Sequence, residues 1–508
     1  MRVFLLCILL LLQQISFSQQ HVNFIQDSLE TYIEKGLKKW QIPGAAVCII
    51  KDGKIILMKG YGFREKEALN KIDTNTLFMI GSNTKAFTAT ALAVLEAERK
   101  ISLDDPVQKW LPSFRLSDPY VSKELTLRDL LSHRTGLNAF QGDFAFFNSD
   151  LTQEEIKRKF ALMKLPQGIR SRWGYSNAAY LIAADIIEKA SGKRWAEYIK
   201  EKFLSPLTMK NTVLSVHDLK SIKNAAIGYT VDEGFVKQIP YGEVDNLSPA
   251  GSISSSISDM SKWVMMLLNN GKMGDSVIIP PSAILQTQEP SSILGSGNYL
   301  FNSGHFNLYG LGWFLEEYSG KKIVSHSGGV NGFLTSVTLV PEAKTGIIVL
   351  TNTDHNYFYE ALRMEILDAC LGNSYRNYNK IYKESDSIQQ KQIAEWLRKK
   401  RDTIASQPKS ALPLEAFTGS YNNELYGNMN ISLKNRKLIV TFEHHKGLIG
   451  YLEPLGGNRF FCIYSNPLFG KKVIAFSIDA NQVKNVQIVV DGFIEPAPYA
   501  FTKKNSNN

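Results

Sequence analysis

The sequence predicts an α/β (α+β) fold: a mainly antiparallel sheet flanked by helices with a helical subdomain, followed by a small all-β barrel domain. Three observations carry this. Strand-like runs stand at both ends of a long first zone, with helical patterns between them. An Asp-Gly turn joins two apolar runs near its start. After about residue 410 the text is almost entirely short strands broken by turn residues.

Taken in order, the chain of 508 residues opens with Arg2, an apolar run from Val3 to Leu12, and then Gln13-Gln14. Small residues, Ser16 and Ser18, stand where an exporting peptidase reads. This is the pattern of a signal peptide over 1–18. The run is about half the ~20 residues that span a bilayer, and no later stretch is long and apolar enough, so no membrane span is expected. A first domain is expected over 19–375. It begins with the hairpin Ala45–Ile50, Lys51-Asp52-Gly53-Lys54, Ile55–Lys59. A long helix follows Ser82, and further helices are expected at 127–133, 176–191, 194–203 and 259–269. Strands return at 322–326, 333–340 and 346–352. A charged helical linker is expected over 376–410, with Ile388, Ile393, Trp396 and Leu397 as its apolar face. A β-domain over 411–508 then includes strands at 428–433, 437–442, 472–478 and 483–490.

Composition narrows the function. Hydrophobic content of 44% supports a packed core. The net charge of +10 is mostly interspersed. Its one dense run, Arg398-Lys399-Lys400-Arg401, reads as a solvated helix face, not a nucleic-acid site. The four cysteines, Cys7, Cys48, Cys370 and Cys462, are far apart in apolar contexts. They suggest neither a disulfide framework nor a metal site, and no cofactor is implied.

The candidate chemistry begins with Ser82-Asn83-Thr84-Lys85. Ser-x-x-Lys places two side chains almost one helical turn apart on one side. A serine hydroxyl needs a base, and a lysine serves only if burial or a nearby cation lowers its pKa. The helix start adds backbone N–H groups for an oxyanion. Two further copies, at Ser319 and Ser406, lack a long amphipathic helix behind them. The second element is Tyr175-Ser176-Asn177 before an apolar helix. A tyrosine near a lysine relays protons if its pKa is lowered, and an asparagine amide orients a base or a carbonyl. The third is His326-Ser327-Gly328-Gly329 at a strand end, where Gly328 and Gly329 allow close substrate approach.

These elements, in this order, resemble the serine β-lactamase and penicillin-binding-protein superfamily. The Tyr-x-Asn element is similar to the class C branch, with its esterases, D-aminopeptidases and DD-peptidases. The stretches Leu130–Leu137, Ser205–Met209 and Ser248–Ser255 also resemble that branch, over about 25–370, and the last unit resembles its lipocalin-like appended domain. The resemblance implies Ser82 as acylated nucleophile, and Lys85 and Tyr175 sharing base and acid work. It implies Asn177 as substrate-positioning, and the backbone N–H groups of Ser82 and Gly329 as the oxyanion hole. His326 takes the place of the family's lysine. A literal Lys344-Thr345-Gly346 exists, but it lies between two strand-like runs and reads as a hairpin turn. A shorter, mostly neutral histidine favours ester, amide or D-peptide substrates over β-lactams. The expected partner is thus a small-molecule or peptide acyl substrate. β-Lactamase, DD-carboxypeptidase, acyltransferase and an idle binding protein are the alternatives, and the sequence leaves the oligomeric state open.

Overall fold

The computed structural model describes residues 24–297, 300–301 and 304–504; the expected signal peptide lies outside them. The first domain is built on a nine-stranded antiparallel sheet. Its spatial order is Ser292–Gly295, Asn307–Tyr309, Phe314–Tyr318, Lys321–Val330, Phe333–Val340, Thr345–Thr351, Gly44–Lys51, Lys54–Glu65 and Asn70–Lys71. Alternation along Gly44–Lys51 sends side chains to both faces. Ala45, Val47 and Ile49 pack with the helices Leu29–Trp40 and Phe358–Leu371. Ala46, Cys48 and Ile50 join the larger core, which holds the helices Thr84–Ala97 and Ile257–Leu268. The two helices meet through Phe87 and Trp263, whose rings stack at 4.0 Å. The helical subdomain adds Leu127–Leu131, Gln153–Leu162 and Ala179–Ser191.

The helix expected from 176 starts at Ala179, because Ser176 Oγ accepts the Ala179 N–H and holds Tyr175-Ser176-Asn177 outside it. Lys344 has φ 44° and follows a short turn, Pro341–Ala343, so the literal Lys-Thr-Gly sits in a tight connection.

The charged segment is one helix, Tyr378–Ala405. Its expected apolar face is only partly used. Leu397 is buried and Trp396 packs on Phe461 of the barrel, but Ile388 and Ile393 are exposed. The basic run is tied into ion pairs, including Arg401 to Glu233 and Lys399 to Glu395. The last domain is a closed eight-stranded barrel running from Gly419–Asn423 to Tyr499–Lys503. Cys48, Cys370 and Cys462 are free and buried. Among the described residues, no helix is long and apolar enough to cross a membrane.

Candidate active site

Ser82 sits in a single 3-10 turn, Gly81–Asn83, that runs directly into the helix Thr84–Ala97. The turn presses on the strand Lys321–Val330. A Cβ on Gly328 would fall 1.9 Å from the Ile80 carbonyl oxygen, so only glycine fits there. Gly81 has φ 53°, and a Cβ on it would lie 3.0 Å from the Gly329 nitrogen. The Gly329 amide therefore stands beside the Ser82 turn. The neighbouring strand Phe314–Tyr318 pairs only as far as Ser325, so the edge of His326–Val330 on that side faces the cleft.

Lys85 is fully buried behind Ser82. Its Nζ lies 3.2 Å from Ser82 Oγ, 2.6 Å from Asn177 Oδ1 and 3.0 Å from the Ala250 carbonyl oxygen. It also stands 4.7 Å from the centre of the Tyr175 ring. The two amide oxygens only accept, so a neutral amine gives them both its hydrogens and keeps its lone pair for the Ser82 hydroxyl. Burial pushes the lysine down to about 7, against the opposing pull of Asp143.

Tyr175 hydrogen-bonds Ser82, but burial drives its phenol upward. The condition for Tyr175 to act as a base in a relay, a lowered pKa, is thus not met. Desolvation, with Asp143 adding to it, outweighs the Ser82 bond, and Tyr175 stays protonated as a donor.

His326 is also buried. Its Nδ1 lies 2.6 Å from the Ser327 carbonyl oxygen, which only accepts, so Nδ1 carries the proton. Its Nε2 then accepts from the Tyr309 hydroxyl at 3.1 Å. Burial and the nearby Lys85 push it down to about 3. It is a neutral wall with both nitrogens engaged inside the protein.

Two residues that the sequence did not single out for the site complete the arrangement: Asp143, with no motif around it, and His133, inside the Leu130–Leu137 stretch. Asn177 Nδ2 donates to Asp143 Oδ2 at 2.6 Å, and His133, its ring tilted against Tyr175 with centres 4.3 Å apart, accepts the Ser176 N–H at 3.1 Å. Burial and Glu495 raise Asp143 to about 7. The cleft in front of Ser82 encloses about 450 Å³. Its walls include Phe140, Phe147, Trp173, Phe314, Tyr357 and, from the barrel, Phe493. Asp143, Asp354 and Asp386 are its acidic lining residues; among the described residues no lysine or arginine lines it. Ser82, Tyr175, Asn177, His326, Gly328 and Gly329 all line it, with Lys85 directly behind. Among the described residues, no group of three or more His, Cys, Asp or Glu side chains is placed to hold a metal ion.

This geometry sets a serine hydroxyl beside a buried amine at the edge of the large sheet. The chain belongs to the beta-lactamase family, whose model matches residues 29–371. A second model, a domain of unknown function (DUF3471), matches 405–503. The chain is similar to the unguisins hydrolase ungD' of Aspergillus campestris (strain IBT 28561), 30% identical over 433 residues, covering 80% of this chain and 77% of that protein. It is also 30% identical over 338 residues to Protein flp of Staphylococcus aureus (strain MW2), covering 66% of this chain and, at 64%, less than two thirds of that one. Among solved structures it resembles the octameric penicillin-binding protein homologue from Pyrococcus abyssi, with TM-score 0.59 and 25% identity over 94% of this chain and 99% of that one. A class C beta-lactamase shares the fold at TM-score 0.58 and 20% identity, over 68% of this chain and 95% of that one. Family and fold support a serine hydrolase in general terms.

Proposed function

We propose that the protein is an exported serine hydrolase that forms an acyl-enzyme on Ser82 and hydrolyses an ester or amide. The observation that carries this is Lys85, buried and held so that its lone pair faces the Ser82 hydroxyl. Lys85 takes the serine proton as Oγ attacks the substrate carbonyl. The N–H groups of Ser82 and Gly329 receive the developing oxyanion. Tyr175, protonated, gives its proton to the leaving group and is refilled from the Lys85 ammonium. Water then attacks the acyl-enzyme, Lys85 again taking the proton; the bond between Ser82 Oγ and the acyl carbon breaks, and the Lys85 ammonium returns the proton to Oγ. A second pocket of about 40 Å³ adjoins Ser82 between Asn177, Val244 and Ala250, with room for a water.

The lining favours a neutral or cationic substrate with apolar flanks. A β-lactam or a peptidoglycan stem brings a carboxylate, which finds no lysine or arginine among the described lining residues and a neutral His326. This ranks ester, amide and D-peptide cleavage above β-lactamase or DD-carboxypeptidase activity.

A fluorophosphonate probe should label the mature protein and not Ser82→Ala; equal labelling of both would sink the assignment. The kcat/KM of the matching ester substrate should rise with pH through about 7, because the working form of Lys85 is the neutral one. A profile flat from pH 5 to 9 would remove lysine as the base. Sequencing the N-terminus of secreted protein tests export, with Gln19 as the expected first residue.

A further inference from the structure

The barrel and the cleft are joined at one segment. Phe144 leaves the first domain and enters the barrel core, where its ring stacks on His445 at 4.6 Å and Tyr499 at 5.2 Å. In the opposite direction, the barrel loop at Asp491–Glu495 reaches the cleft. Glu495, itself buried, accepts the Gly142 N–H at 2.8 Å and the Phe144 N–H at 3.1 Å, and the Tyr426 hydroxyl donates to it at 2.7 Å. These two backbone groups flank Asp143. Gly142 turns with φ 84°, a conformation that suits glycine, so the Glu495 contacts act on a backbone turn that a side chain at this position would strain.

We infer that Glu495 of the barrel is a positioning residue for the catalytic lysine: it fixes the Gly142–Phe144 turn through which Asp143 and Asn177 hold Lys85 against Ser82. The docked barrel thereby completes the active site. The inference rests on the proposed role of Lys85 as base.

The chain of contacts also carries charge. Asp143 faces Lys85 from the nucleophile helix, Tyr175 and Asn177 from the loop before Ala179–Ser191, and Glu495 and Tyr426 from the barrel. Glu495 faces Tyr426 and Tyr499. The neighbouring His445 and His326 are held neutral by burial. A carboxylate on Asp143 would raise the lysine and keep more of it protonated at neutral pH, leaving less of the neutral amine that accepts the serine proton; the charge of Glu495 opposes ionisation of Asp143. Removing the Glu495 charge therefore lets Asp143 ionise, and removing the Asp143 charge releases the lysine. The two changes move the acid limb of kcat/KM in opposite directions.

The test uses the full mature chain and p-nitrophenyl butyrate from pH 5 to 9, with the thermal midpoint of each variant measured alongside. Glu495→Gln should lower kcat and shift the acid limb upward by about 1 pH unit. Asp143→Asn should shift it downward, and the double variant should show the Asp143→Asn limb. A folded Glu495→Gln with reduced kcat and an unmoved limb would overturn the inference, since loss of a purely structural contact predicts that pattern. If Glu495→Gln does not fold, the Asp143→Asn limb decides alone, and its coincidence with wild type overturns the link. Failure of wild type to acylate Ser82 would instead strike the proposed function itself.

Discussion

Two phenylalanines cross the boundary between the first domain and the barrel in opposite directions. Phe144 belongs to the first domain and is 1% exposed, packed among Phe442, His445 and Tyr499 inside the barrel. Phe493 belongs to the barrel and is 41% exposed, lying over Gly329 in the cleft. Side chains of the same type thus do different work. The buried one anchors, because its area is removed from water and its neighbours close around it. The half-exposed one yields little docking energy and is presented to whatever enters the cleft. Anchor and wall are separable, and the predictions follow from that separation.

The largest effect belongs to the anchor. Phe144→Ala should destabilise the protein by about 3–5 kcal/mol, the range for emptying a packed aromatic site. The resulting cavity lies inside the barrel, so the barrel should loosen from the first domain and esterase activity should fall with it. Chemical denaturation with both activity and tryptophan fluorescence as readouts checks this. A loss under 1 kcal/mol would show that Phe144 is not the anchor. Tyr426→Phe comes next, at about 1 kcal/mol. It removes one of three donors to Glu495 and keeps the ring, which stacks on Tyr499 at 4.1 Å. A loss as large as that of Phe144→Ala would mean the polar clamp, not the aromatic plug, holds the two domains together.

Sequence reading reached different depths in the two regions. Five strands of the nine-stranded sheet and four of the eight in the barrel were legible because alternation, β-branched runs and turns such as Asp-Gly are local signals; the short strands from Ser292 to Tyr318 and Asn70–Lys71 were not. Ser82, Lys85, Tyr175 and Asn177 stood out because each begins or precedes a long apolar helix, and His326 prevailed over Lys344 by position along the chain. Asp143 and Glu495 were invisible. They lie 352 positions apart, as 495 minus 143, in short irregular segments, and only the packing of barrel on domain brings them together. The direction of the tyrosine shift was out of reach for a related reason. Residue types suggest a lysine cation beside a phenol, but the sequence does not show how completely the site is dried. The exposed Ile388 and Ile393 show the same limit: a helical apolar pattern states what a face offers, not whether another element covers it.

The smallest effect on stability, and the most informative for substrate, is expected at Phe493→Ala. The ring lies in a connection between Gln482–Ile488 and Tyr499–Lys503, half in solvent, so its removal should cost under about 1 kcal/mol. Its place in the cleft is more consequential. A Cβ added to Gly329 would meet the Phe493 ring at 2.8 Å, so the aromatic edge closes the space next to the amide proposed to hold the oxyanion. Removing it opens that side of the cleft without touching Ser82 or Lys85. The ratio of kcat/KM for a bulky ester over a small one, such as p-nitrophenyl octanoate over acetate, should therefore rise by about 10-fold, within the range that pocket shape commands. Glu495 keeps its three donors in this variant, so the acid limb of kcat/KM should stay where wild type has it. A limb that moves with Phe493→Ala would merge wall and clamp into one device; an unchanged ester ratio would leave the wall without a role in selection.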